Sequence, residues 1–155
     1  MTRTGARELA VMLNFCLAVN PDWVGLDDFF NEGYYETLKG EDELFERYPD
    51  ERQLSYIRRL VSGTLEKQEE LDKYISKYSK NWKIGRISKT AVAILRTAIY
   101  EVLYMDDDVP NAVAMNEAVE LSKGYEEQET AAFINGILGS FYREEISGES
   151  GEIEG

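Results

Sequence analysis

Apolar residues recur at three- and four-residue spacing through most of this chain, and no alternating strand pattern competes with them anywhere. That periodicity points to an all-α protein of six or seven helices. Only three of the 155 residues are proline, which leaves room for long helices, and 43% are hydrophobic, enough to bury a core without staples. The single cysteine, Cys16, excludes an intramolecular disulfide framework and reads as a small core hydrophobe on an apolar stripe. With no histidine, His-based triads, His metal sites and histidine pH switches are excluded together.

The pattern divides the chain as follows. Leu9, Met12, Leu13, Cys16 and Leu17 form the stripe of a first helix, with Phe15 beside it. Thr4 is its expected N-cap, and Asn20 ends it because the residue before a proline avoids helical torsions. A short second helix is expected over 26–38, stopped by Gly40, followed by an acidic loop or extra turn at 41–46. Pro49 and Asp50 open one long helical pattern carried by Leu54, Ile57, Leu60, Val61, Leu65, Leu71 and Ile75, with Gly63 a close-packing point or a boundary. Residues 79–85 read as a connection anchored by Trp82. Ser88 is the expected N-cap of a helix apolar on nearly all sides, hence central and buried. The acidic run at Asp106, Asp107 and Asp108 leads to a stripe of Val113, Ala114, Ala118 and Leu121, stopped by Gly124. Thr130 is expected to cap a last helix bearing Phe133, Ile134, Ile137, Leu138 and Phe141, in which Gly136 and Gly139 look like packing contacts. The helical domain therefore covers 1–146, and 147–155 reads as an acidic, disordered tail.

The longest apolar stretch, 9–19, is too short to cross a bilayer and lacks a small-residue cleavage pattern, so it reads as a core helix. One cysteine and no export signal point to the cytoplasm and away from a membrane.

The net charge of −13 argues against a general nucleic-acid binder, but the average conceals a partition. Residues 1–72 carry 8 basic and 16 acidic side chains, 73–96 carry 7 basic and none acidic, and 97–155 carry 2 basic and 14 acidic. A positive window in an acidic background suits one oriented contact with a polyanion; a solvated basic helix face accounts for it equally well. Lys73, Lys77 and Lys80 share a helix face, with Tyr74 and Tyr78 on a neighbouring one. Lysines can neutralise phosphates while aromatic rings stack on unpaired bases. Trp82 is read as core, whereas Tyr78 fits either core or surface. Arg3 and Arg7 form a second, smaller basic site.

No phosphate-binding glycine loop, nucleophile elbow or zinc spacing occurs. The three consecutive aspartates read as caps and solubility residues rather than metal ligands. No catalysis, cofactor or metal is expected.

Several runs resemble the NusB family: VPNAVAMNEAVELSK at 109–123, FINGILG at 133–139, AILRTAIYE at 93–101 preceded by Trp82 and Arg86, and Ala6, Arg7, Glu8 and Ala10 near the start. They stand in family order across most of 6–142. The resemblance implies about seven helices in two small packed bundles. It implies a transcription antitermination factor that pairs with NusE, a small-subunit ribosomal protein. The pair binds single-stranded boxA-type leader RNA of ribosomal RNA operons and joins the elongating RNA polymerase. It leaves both monomer and homodimer open.

By the same resemblance, Arg3 and Arg7 occupy an arginine-rich RNA motif that is reduced here. Met12 and Phe15 replace the more common glutamine and tyrosine. Tyr78, Glu129 and Thr130 match RNA-side positions, while Phe15 and Ala91 fall near the partner interface. Asn116, Glu117 and Asn135 are signature residues, the two asparagines expected to join the lobes by buried hydrogen bonds. Lys77, Lys80 and Lys83 flank the tyrosine position and are expected to compensate for the thin arginine motif. Other readings are a protein-only adaptor of the transcription machinery that has lost RNA contact, a detached relative of the RNA-binding domain of ribosomal RNA cytosine methyltransferases, and a carboxylate enzyme, which has no motif behind it.

Overall fold

The structure, a computed structural model, describes residues 2–20, 48–79 and 87–148. These contain six α-helices, one π-helical segment and no strand. The expected helix at 26–38, Trp82, Lys80, Lys83 and Arg86 lie outside the described residues. The chain divides into two compact units, Met1–Glu66 and Lys67–Gly155.

In the first unit, α1 (Arg3–Val19) packs on α2 (Glu51–Glu66). Ala6, Leu9, Ala10 and Leu13 are buried, as are Ile57, Leu60, Val61 and Thr64. Both sets follow the i, i+3, i+4, i+7 spacing of one helix face. The N-cap of α1 is Thr2 rather than Thr4. Thr2 is extended, and its hydroxyl accepts the Gly5 amide at 2.9 Å, the geometry that a residue already inside the helix cannot adopt. Asn20 ends α1 in an extended conformation ahead of Pro21. At the start of α2, Asp50 and Gln53 form a reciprocal capping box: Gln53 N donates to Asp50 Oδ1 at 2.8 Å, and Asp50 N donates to Gln53 Oε1 at 3.0 Å.

The expected long helix is two. It breaks at Lys67, and α3 (Gln68–Ser79) begins the second unit. Leu65, counted in the sequence stripe, is 52% exposed, and the buried face resumes with Leu71 and Ile75. Gly63 lies inside α2 and is not the boundary.

The second unit is built around α4 (Lys89–Tyr104), which packs against α3, α5 (Asn111–Tyr125) and α6 (Gln128–Phe141). Its residues from Ala91 to Val102 are buried except Arg96. This is the central helix expected from an apolar surface on nearly all sides. Ser88 caps it, its hydroxyl accepting the Ala91 amide at 3.0 Å. The three aspartates are exposed in the connection to α5. Ala114, Ala118 and Ser122 form the buried face of α5, whereas Val113 is exposed, and the helix continues through Gly124 to Tyr125. Asn116 and Asn135 are both exposed in the second unit. Glu127 precedes α6 and places Thr130 within its first turn, so Thr130 is not the cap. The π-helical segment Tyr142–Ser147 follows directly and ends at Gly148, whose φ of 69° suits glycine. Among the described residues no helix is long and apolar enough to cross a membrane.

Candidate nucleic-acid interface

The basic face of α3 rests on an aromatic base. Leu71, Ile75 and Tyr78 point into the second unit, which leaves Lys73 and Lys77 exposed on the opposite side. Tyr74 and Tyr78 both meet Phe141 of α6 edge-on, at centroid separations of 5.2 and 6.4 Å. Tyr78 is 7% exposed. Its ring is therefore core and unavailable for stacking on a base, which decides the alternative that the sequence left open. Its polar end is the hydroxyl.

That hydroxyl donates to Glu145 Oε2 in the π-helical segment, and the same oxygen receives Lys77 Nζ at 2.6 Å. Lys77 Nζ also lies 5.2 Å from the Tyr78 ring centroid. The two donors favour the ionised carboxylate and hold the Glu145 pKa below its ordinary value. Burial, followed by the bond to Glu145, pushes the Tyr78 phenol up, and the bond to Glu145 pushes the Lys77 ammonium up. At neutral pH this is an ammonium and a neutral phenol converging on one anionic oxygen.

Arg96, at the end of the basic block, is drawn off the surface. It lies on α4 and binds Asp72 of α3 through two bonds of 2.7 and 2.8 Å. Lys89 is exposed in the first turn of α4. At the same end, Ser88 donates its hydroxyl to Glu126, which ties the start of α4 to the turn between α5 and α6.

In the first unit the two arginines share one aromatic partner. The Arg3 guanidinium lies 4.2 Å and that of Arg7 5.8 Å from the Tyr56 ring centroid. Arg7 is 3% exposed, so much of this pair holds the unit together. Met12 and Phe15 are half-buried on α1. Glu129 is exposed in the first turn of α6 and Thr130 is half-buried. Ala91 is fully buried, and its methyl group offers no surface to a partner in this arrangement. Among the described residues, no group of three or more Cys, Asp or Glu side chains comes together in a way that could hold a metal ion.

Sequence reasoning missed Tyr56, Asp72 and Glu145. Tyr56 falls beside the apolar stripe of α2 and carried a legible signal. Asp72 stands one residue before the basic block, and its partner on α4 is 24 residues away, out of reach of a helical spacing pattern. Glu145 lies 68 residues from Lys77, beyond the reach of any local pattern.

Two all-helical units, the second carrying a basic helix face backed by aromatic rings, define an α-helical protein, and its fold is that of solved NusB structures. The NusB from T. maritima superposes with a TM-score of 0.71 at 25% identity, covering 93% of this chain and 92% of that one. The NusB chain of a crystal structure of antitermination factors NusB and NusE in complex with dsRNA gives 0.69 at 21% identity, covering 92% and 96%. The family model described as NusB family matches residues 4–143. The transcription antitermination protein NusB of Acetivibrio thermocellus is 39% identical over 151 residues, 97% of this chain and 95% of that protein. That of Natranaerobius thermophilus is 41% identical over 138 residues, 89% of this chain and 92% of that protein. The chain belongs to the NusB family.

Proposed function

We propose that this protein is a transcription antitermination factor, which binds boxA-type single-stranded leader RNA of ribosomal RNA operons together with NusE and supports elongation by RNA polymerase in the cytoplasm. The observation that carries this reading is the family match across residues 4–143, with relatives named transcription antitermination protein NusB. The solved complex of antitermination factors NusB and NusE with dsRNA supports NusE and RNA as partners. The role is one of binding and assembly rather than catalysis.

Lys77 supplies a phosphate contact beside the Tyr78 hydroxyl, and Lys80 and Lys83 extend the same basic run in sequence. Arg3, with Met12 and Phe15, contributes from α1. Arg7 acts mainly by fixing Tyr56 beneath Arg3. Glu129 and Thr130 at the start of α6 contribute polar RNA contacts, with Phe15 shared with the NusE surface and Ala91 supporting that surface from within the core.

Fluorescence anisotropy with labelled boxA-like RNA, with and without NusE and against a scrambled RNA, tests the reading. Selective binding that tightens with NusE is expected. Charge reversal of Lys77 and Lys80 should weaken it and flatten the salt dependence by about 0.7 in log–log slope per lost phosphate contact. Pairing with NusE but no RNA binding under any condition would instead establish the protein-only adaptor, which the pairing of Arg96 with Asp72 and the burial of Arg7 favour.

A further inference from the structure

We propose that Glu145 is an internal competitor for RNA: its carboxylate occupies an anion subsite formed by Lys77 and Tyr78, and a phosphodiester oxygen displaces it when RNA binds. The inference rests on the RNA-binding function proposed above and names how that surface is held in check.

Three features carry it. The first is the donor geometry. Lys77 Nζ and Tyr78 OH converge on a single oxygen, Glu145 Oε2, with the ammonium at 2.6 Å. An ammonium and a hydroxyl converging on one anionic oxygen is equally a phosphate-binding arrangement. The buried Tyr78 ring, wedged against Phe141, fixes the direction of its hydroxyl, so the subsite is preformed. The second is accessibility. The Lys77 side chain is 60% exposed and that of Glu145 is 21% exposed. Water reaches the pair, and a solvent-screened ion pair is weak enough to exchange. The third is the element that carries Glu145. The π-helical segment Tyr142–Ser147 has no fully buried residue, so Glu145 can withdraw without opening the core.

The consequence is selectivity. While Glu145 is in place, the charge of Lys77 is compensated and adds little to non-specific attraction. A ligand must supply enough further contacts to outcompete a tethered carboxylate, whose effective concentration is high. BoxA-type RNA held also by NusE meets that condition, whereas a random polyanion does not.

The test compares wild type, E145Q, K77Q, the E145Q/K77Q double variant and E144Q. Each is premixed with NusE and titrated into labelled boxA-like and scrambled RNA over a series of salt concentrations, with thermal melts confirming that each is folded. E145Q should bind both RNAs about 3- to 10-fold more tightly at low salt, with a log–log slope steeper by about 0.7, because one more lysine is free to release a counterion. The gain should be larger in proportion for scrambled RNA and absent in the double variant. E144Q removes the same charge one residue away and should change binding less than 2-fold.

If E145Q binds as wild type does while K77Q weakens binding, Glu145 is no competitor and the RNA function stands. If E144Q and E145Q tighten binding equally, the effect is bulk charge and the proposal fails. If RNA binds but neither E145Q nor K77Q alters it, RNA passes elsewhere and the subsite is wrong. If no variant binds RNA, the RNA function fails and the competitor role with it.

Discussion

Arg96 and Asp72 clasp α4 to α3 through two parallel hydrogen bonds, Nε to Oδ1 at 2.7 Å and Nη2 to Oδ2 at 2.8 Å. Their side chains are 13% and 29% exposed, which places the pair between a screened surface bridge and a buried one. Planar two-point pairing adds geometric specificity to the charge attraction. A double-mutant cycle of R96A and D72A in urea should give a coupling of about 1 kcal/mol, above the usual exposed pair. Because Arg96 serves the fold, R96Q should leave the salt slope of RNA binding unchanged, whereas a change as large as that of a Lys77 variant would return Arg96 to the RNA surface.

These two residues also show where sequence reading stops. The central helix was legible because burial on nearly all sides leaves an apolar record at most positions from Ala91 to Val102, with Arg96, Thr97 and Glu101 the polar exceptions. The faces of α1 and α2 were legible from their i, i+3, i+4, i+7 spacing. The break at Lys67 was not, since apolar residues on both sides keep helical spacing and Leu65 looks like core until its 52% exposure is seen. The basic block looked free of acidic partners because that is true along the chain. In space, Asp72 returns to Arg96 and Glu145 to Lys77, across 24 and 68 residues. Charge patterning reports a helix face, but it cannot report what another helix lays upon it.

The capping box at Asp50 and Gln53 makes a local prediction. Asp50 Oδ1 satisfies the Gln53 amide, and the Gln53 side chain returns the bond. D50A removes the oxygen that accepts the Gln53 amide, while the amide of residue 50 still donates to Gln53 Oε1, and should lower unfolding stability by about 1 kcal/mol. D50N keeps an accepting oxygen at the same place and should recover most of the loss. Equal destabilisation by both substitutions would show that charge near the start of α2, rather than the hydrogen bond, is what Asp50 supplies.

Gly136 was expected to mark a close helix contact, but no described atom lies within 4 Å of the position a Cβ would take. It is exposed in the interior of α6. With no clash to offset the gain, G136A should stabilise the protein by about 0.5–1 kcal/mol through reduced backbone freedom in the unfolded chain. That corresponds to a rise of about 2–3 °C in Tm. Gly139 provides the contrast: a Cβ there would stand 3.3 Å from Arg143 Nη1, at the end of a flexible side chain that must shift. G139A should therefore gain less than G136A, and a fall in Tm for G136A would mean that the position is packed.

Tyr104 ends α4 with its hydroxyl donating to Glu70 of α3, and its ring lies against Tyr100 and beneath Lys67. The bond to the carboxylate, then burial, holds the proton and pushes the Tyr104 pKa up to about 12. An unfolded tyrosine titrates near ~10. The folded state thus binds this proton more tightly than the unfolded state. The contribution is complete below pH ~10 and is lost as the pH climbs from ~10 toward ~12. Ten tyrosines absorb together, so the measurement is the phenolate difference spectrum of wild type minus Y104F, with circular dichroism confirming helix content at each pH. One phenol with a midpoint near 12 is expected. In urea melts the stability gap between wild type and Y104F should narrow across the same interval. A difference midpoint near ~10 with the fold intact would mean that Glu70 does not hold the Tyr104 proton in solution.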